Sequence, residues 1–184
     1  MAISWHNFWG HLTTINKHKM LVMKHCFKIG LYKQGLLHDL SKYAPSEFWV
    51  GVKYYRGTGS PNSAERRDKG YSIAWLHHKG RNKHHIEYWM DYSPLDGVMG
   101  FVGIEMPYKY VAEMLCDRMA ACKTYNGKNY TQSDPYDYFM HNYREQSIIH
   151  PKTREAILEL LEMLRDKGEE ETFRYLRKRL KTIK

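Results

Sequence analysis

The sequence predicts an all-α fold in one domain, residues 1–184, with a short irregular or hairpin insertion around residues 91–107. Two observations carry this expectation: apolar residues recur at helical spacing in nearly every segment, and alternating runs bounded by turns are scarce. A third is length, since 184 residues bury one sizeable core and leave little room for a second of ordinary size.

The first helix is expected over residues 13–29, with Ile15, His18, Val22, His25 and Ile29 on one stripe and Gly30 as C-cap. Both histidines on that stripe face the core and need partners. A second helix over 32–42 carries His38 and Asp39 near its end, and Tyr-Ala-Pro-Ser stops it. Pro45 or Ser46 starts a third helix through Tyr55. The turn formers from Arg56 to Ser63 make a surface loop, placed to act as a flap over a pocket. A fourth helix is expected over 64–78. Gly80 then breaks the chain, and Asn82 caps a further turn that holds His84 and His85.

The segment 91–107, with Pro94, Gly97, Gly100, Gly103 and Pro107, reads as the irregular piece, and Val98 to Ile104 as a short hairpin or buried loop. A fifth helix over 108–124 places Tyr110, Met114, Asp117 and Ala121 on one stripe, so a carboxylate interrupts an apolar face. Closing helices follow over 135–146, 151–167 and 170–182. The metal-site core thus falls within 14–125 and the C-terminal helices within 134–184.

Composition narrows the function classes. Three cysteines, Cys26, Cys116 and Cys122, without CxxC spacing argue against a disulfide framework or a cysteine zinc site and suit the reducing cytoplasm. The start of the chain has no basic segment followed by an apolar one, and no apolar run approaches about 18 residues, so neither secretion nor a membrane span is expected. The net charge of +9 attracts anions. Residues 169–184 supply +3 of it, acid first and base last, as a helix dipole favours. The rest is spread over the body, beside the histidines among other places.

The most informative string is Gly-Leu-Leu-His-Asp-Leu-Ser-Lys, residues 35–42, in which an apolar run ends on His38 joined to Asp39. Burying that pair is costly unless a metal ion shares the site. His18, His77, His78, His84, His85 and the helical Asp117 stand where they can converge on it, an inventory suited to one or two divalent cations (Mn, Fe, Ni, Co, Zn or Mg). On one continuous helix His38 and Asp39 diverge by about 100°, so they meet a common ion only in a groove between helices.

The order of His18, His38-Asp39 with Lys42 three residues on, further histidines and a late helical Asp117 resembles the HD-domain superfamily of metal-dependent phosphohydrolases. Within it, the strings HDLSKY and AWLHHKGRNKHHIEYW are similar to a short bacterial family without an assigned function. The resemblance implies an HD-like helical bundle and an enzyme that uses a metal-bound hydroxide against a phosphoester or nucleotide. It implies His18, 20 residues before His38, as first ligand, with His38, Asp39 and Asp117 completing one metal site. His78 and His85, with His84, are the candidates for a second ion. Asp39 and Lys42 are the expected catalytic residues. Lys42 either contacts a phosphate oxygen or orients the aspartate, and Arg81 and Arg118 are further candidate phosphate binders.

Blander readings stand beside these. His25 competes with His18, and one of the two simply binds a carbonyl in the core. The histidines of 77–85 also read as an exposed basic corner with Lys79, Arg81 and Lys83, and Asp117 as a surface partner of Arg118 or Lys123. The same ligands loaded with iron suit oxygen chemistry in a di-iron oxygenase. A basic nucleic-acid-binding module is the remaining alternative, disfavoured because acids such as Glu65, Asp68, Glu87 and Asp91 interrupt the positive charge.

Overall fold

A computed structural model describes residues 3–95, 100–143 and 148–183. It is a mostly α single domain, with eight α-helices among the described residues and one small antiparallel hairpin. Helix α1 (Trp5–Ile29) begins eight residues before the predicted start. Ser4 caps it by accepting from the Asn7 amide, and the rings of Phe8 and Trp9 pack in a cluster with Phe48 and Trp49. Gly30 ends it in the left-handed conformation, as expected.

Helix α2 (Tyr32–Leu37) stops five residues short of the predicted end, and this corrects the placement of His38 and Asp39. Lys19 reaches across from α1 and donates to the carbonyls of Leu36 and His38, at 2.9 and 2.8 Å. The chain leaves the helix at His38 and turns at Asp39, whose φ of 52° is the one positive value among described non-glycine residues. A 3₁₀ turn, Leu40–Tyr43, follows. Aspartate tolerates the left-handed region better than most side chains. The break removes the helical divergence, and both side chains now reach one point.

Helix α3 (Pro45–Lys53) starts with Pro45 in its first turn. The single helix predicted over 64–78 is two: α4 (Pro61–Lys69), ended by Gly70 at φ 82°, and α5 (Ile73–Lys79), capped by Ser72. Asn82 caps no helix. Its amide donates to the His78 carbonyl and to Ser41 Oγ, and the chain continues through a 3₁₀ turn, Ile86–Trp89.

The insertion expected around 91–107 holds a hairpin, but not within Val98 to Ile104: β1 (Met90–Ser93) pairs with β2 (Gly100–Gly103), Met90 to Gly103 and Ser93 to Gly100, so the described part of that segment supplies only the second strand. Gly97 and Val98 lie outside the described residues. Helix α6 (Tyr108–Asn126) crosses the centre and packs on α1 and α8. Helix α7 (Asp134–Tyr143) covers the described part of the segment predicted over 135–146. Helix α8 (Pro151–Thr182) joins the last two predicted helices across a kink at Gly168.

One apolar cluster runs from Val22 and Cys26 through Met114, Cys116 and Met119 to Leu160, Leu161, Leu164 and Leu176. Burial of each such side chain contributes roughly 1.5–3 kcal/mol against the unfolded chain. This core fixes α1 against α6. It thereby sets the spacing of the polar groups on their facing sides. Among the described residues no helix is long and apolar enough to cross a membrane.

Candidate metal centre

Four elements deliver the polar cluster. Helix α1 brings His18, the break after α2 brings His38 and Asp39, α5 and the turn after it bring His78, His84 and His85, and α6 brings Asp117. His38 and Asp39 are each 2% exposed. His18 Nε2 lies 2.9 Å from Asp117 Oδ1 and 3.7 Å from Asp39 Oδ2. His38 Nε2 lies 3.4 Å from both of those oxygens. On the other side, Asp39 Oδ1 is 3.3 Å from His78 Nε2 and 3.3 Å from His84 Nε2.

Two groups therefore share Asp39. One ligand atom each of His18, His38, Asp39 and Asp117 lies within 4.8 Å of the others, and the same holds for Asp39, His78, His84 and His85. Of the candidates read from the sequence, His18, His38, Asp39, His78, His84, His85 and Asp117 fall in one group or the other, and His77 and His25 fall in neither. The left-handed turn at Asp39 lets one carboxylate face both.

Two carboxylates that the sequence reading missed set the chemistry of these imidazoles. Glu113 Oε1 lies 3.0 Å from His38 Nδ1 and 3.2 Å from His84 Nδ1, and Glu47 Oε2 lies 2.8 Å from His78 Nδ1. Each Nδ1–H is donated outward, so the tautomer inferred from these bonds leaves a lone pair on Nε2. His38, His84 and Glu113 also converge as a third group. They do so through Nδ1 at hydrogen-bonding distance, which makes Glu113 an orienting partner of the other two sets.

The lone pairs on Nε2 of His38, His78 and His84 thus point at the oxygens of Asp39. His18 Nε2, His38 Nε2, His84 Nε2, His85 Nε2 and both Asp39 oxygens are buried without a hydrogen bond of proper geometry. With Nε2 deprotonated, acceptors face acceptors in a buried site and repel unless a cation stands between them; in the metal-free protein the protons on His38 and His84 take that place. The donor set fits a divalent metal, of two to three imidazoles and one or two carboxylates per ion.

The protonation pattern has the same origin. Burial alone lowers the His38 pKa, but Asp39, Asp117 and Glu113 override it and hold it well above the usual imidazole value. His84 is also raised, because hydrogen bonds to Asp39 and Glu113 outweigh burial and the charge of His38. Burial and Lys42 lower His18, and burial with His84 and His78 lowers His85. The first two imidazoles hold protons that an incoming metal displaces.

Metal affinity is accordingly expected to fall as pH falls, by more than about tenfold from pH 8 to pH 6, with release of roughly two protons. Calorimetry in buffers of different ionisation enthalpy measures both. The metal-free protein has the opposite slope: the stability from His38 and His84 is fully present below about pH 6.5 and is lost as pH rises through their raised pKa values.

The remaining predicted residues divide. Lys42 Nζ sits 2.6 Å from Asp39 Oδ2, orienting the aspartate, and that carboxylate raises its pKa. Arg118 lines the cavity beside the cluster, its guanidinium 5.8 Å from the Tyr138 ring and 5.3 Å from that of Phe139. Arg81 does not join them. It is exposed and donates to the His77 carbonyl on its own side of the α5 corner, away from the cavity lining. His77 pairs with Glu47 and joins neither ligand group. His25 is the core histidine: its Nδ1 is 3.3 Å from the Cys116 carbonyl and its ring lies against Phe173.

The cluster borders a cavity of 460 Å³, lined by residues of α1 and α6, by the loop from Tyr55 to Ser60 and by the first turn of α4. The loop predicted as a flap does border the opening. Fold and cluster together define a mostly α protein with a buried histidine–carboxylate group compatible with a metal site. A family model described as a family of unknown function, DUF5662, matches residues 7–163, and the chain belongs to that family. The matched span contains every residue of the cluster. No curated protein and no solved structure matches the chain.

Proposed function

We propose that the chain is a metal-dependent phosphohydrolase of the HD type, acting on a phosphoester or nucleotide in a reducing compartment such as the cytoplasm. The observation that carries this reading is Asp39, whose two oxygens face two separate sets of imidazole lone pairs at the border of an open cavity. Divalent metal bound there supplies Lewis acidity and a coordinated water acidified toward neutrality.

The protein's own groups do the rest. Lys42 holds Asp39 in place and adds positive charge at the cavity lining, where a phosphoryl oxygen would lie. Arg118 presents a second cation from α6, braced on Tyr138 and Phe139. Glu113 and Glu47 fix the imidazole rings, so ligand geometry is set before substrate arrives. A cavity of 460 Å³ has the size of a site for a nucleotide-sized molecule.

The test is elemental analysis of purified protein, then a screen of phosphoesters with Mn, Fe, Ni, Co, Zn or Mg added. Between one and two bound ions per chain and release of inorganic phosphate are expected. Protein that stays metal-free after loading refutes the centre. Oxygen uptake by the iron-loaded protein without phosphate release replaces hydrolysis by oxygenase chemistry.

A further inference from the structure

Among the described residues, 11 of the 21 large apolar side chains that stand exposed lie between Ile3 and Trp49. On α1, Trp5, Trp9, Met20 and Phe27 are 77%, 59%, 58% and 37% exposed. At about 100° per residue they fall on one stripe about 60° wide, to one side of the core face that holds Ile15, Val22 and Ile29. In the chain that follows, Leu36, Leu37 and Leu40 are each about half exposed, as is Trp49 on α3.

Contacts along α1 join these side chains into one surface. The Phe27 ring meets that of Tyr32 at 5.2 Å, and Tyr43 donates to Asn16 Oδ1 at 2.7 Å. The Phe8 ring, 5.2 Å from Trp9, meets Trp49 at 5.9 Å. Between the first two contacts Lys19 holds the Leu36 carbonyl. The segment 32–49 therefore runs back along the same edge of α1, and the apolar surface follows that helix for roughly 33 Å, from Trp5 to Phe27. Leu37 and Leu40 flank the buried His38 and Asp39 in the chain, so this is the outer side of the corner whose inner side carries the histidine–carboxylate cluster.

The charge of this surface has one sign. Residues 3–38 contain five lysines and no carboxylate. Lys17, Lys24 and Lys28 are exposed along the flank of the α1 stripe, and Lys33 is exposed on α2. The two acids of residues 39–49, Asp39 and Glu47, are buried against the histidines. Beyond Lys28, which lies over the Phe173 ring, the acids of α8 begin at Glu169 to Glu171; Glu169 pairs with Lys123 and Glu171 with Arg174. Indole, phenol and aliphatic groups flanked by ammonium groups match the headgroup region of an anionic bilayer, where rings and chains leave water and lysines meet lipid phosphates. We infer that residues 3–49 form a docking face for a membrane surface that carries anionic lipid, with α1 lying in the plane of that surface. Such docking needs no membrane-crossing helix. A second copy fits this face less well, because a two-fold contact sets lysine against lysine. A nucleic-acid phosphate backbone offers Met20 and the leucines of 36–40 no apolar partner.

The inference stands apart from the phosphohydrolase reading. Its test is flotation of the full chain at low salt with vesicles of phosphatidylcholine alone and of phosphatidylcholine with phosphatidylglycerol at three to one. Binding to the anionic vesicles is expected to be at least about tenfold stronger than to the neutral ones and to fall as salt is added. Tryptophan emission should shift to the blue on binding, as Trp5 and Trp9 leave water.

Met20→Glu and Leu36→Glu alter side chains that are 58% and 55% exposed, so the fold tolerates them, and together they should weaken vesicle binding at least about tenfold. Lys17→Glu with Lys24→Glu should bring binding to the anionic vesicles down to the level of the neutral ones. Tyr92→Glu, 66% exposed on β1, should bind as wild type does. Failure to float with the anionic vesicles overturns the docking face, and so does undiminished flotation of the Met20→Glu, Leu36→Glu double variant. A mass that doubles with concentration in the wild type and stays single in that double variant, without flotation, gives the face to a second copy. Salt-sensitive binding of duplex DNA without flotation gives the charge to nucleic acid. Either result overturns the membrane assignment.

Discussion

Asparagine in place of Asp39 is expected to empty both halves of the proposed centre, leaving less than about one tenth of the wild-type metal, with the proposed hydrolysis down on the order of 10³-fold. The reasoning is local. Asp39 supplies the one carboxylate that faces His18 and His38 through Oδ2 and His78 and His84 through Oδ1. An amide of the same size keeps the shape but offers one weak oxygen donor and no charge, so a cation in either group would lack its neutralising partner. The choice of asparagine matters because of the backbone. At φ 52° asparagine is as well tolerated as aspartate, whereas alanine adds roughly 1–2 kcal/mol of left-handed strain. Asp39→Asn should therefore melt closer to the metal-free wild type than Asp39→Ala, although the two lose metal alike. Elemental analysis and thermal melts of both variants measure this. A full complement of metal in Asp39→Asn would remove Asp39 from the centre.

Much of this arrangement is readable from residue order, for physical reasons that also mark where reading stops. The period of 3.6 residues places His18 and His25 on the buried face of α1, and the structure keeps that face; on α6 the buried side runs through Val111, Ala112, Leu115, Cys116 and Met119, and of the predicted stripe only Met114 is buried, with Tyr110, Asp117 and Ala121 half-buried. What decides between His18 and His25 is tertiary. His25 meets the Cys116 carbonyl and Phe173, and no sequence pattern announces those neighbours. The break at His38 is also imposed from outside, by Lys19 on the last carbonyls of α2. Local pattern continues the helix to 42. Gly70 and Ser72 are a legible break inside the segment 64–78 that helical spacing alone joins into one helix. Arg81 shows the reverse error, since closeness to histidines along the chain did not become closeness to the cavity. Glu47 escaped notice because it is the lone acid on α3, and Glu113 because it stands among apolar residues of α6 outside the predicted stripe. The spacing of Glu113 four residues before Asp117 was the available signal.

That position puts Glu113 against imidazoles of both groups. Glu113→Gln is expected to weaken metal binding by about 10–100-fold. One carboxylate oxygen accepts Nδ1–H from His38, which serves the first group, and from His84, which serves the second. The neutral amide accepts more weakly, and if its NH₂ end turns inward it faces two N–H donors. Either arrangement frees one imidazole to rotate or to adopt the tautomer that puts a proton on Nε2. Both halves should therefore lose affinity together, unlike the effect of a ligand confined to one set. A purely structural role predicts a lower melting temperature and nothing else. The orienting role makes a further demand. Glu113 is among the groups that raise His38 and His84, so without its charge both titrate lower in the metal-free protein, and fewer protons leave when metal enters. Calorimetry in two buffers at pH 7 reads affinity and proton release in one experiment. Affinity within twofold of wild type, with proton release unchanged, would show that the rings are held by the packing around them and that Glu113 is dispensable to their aim.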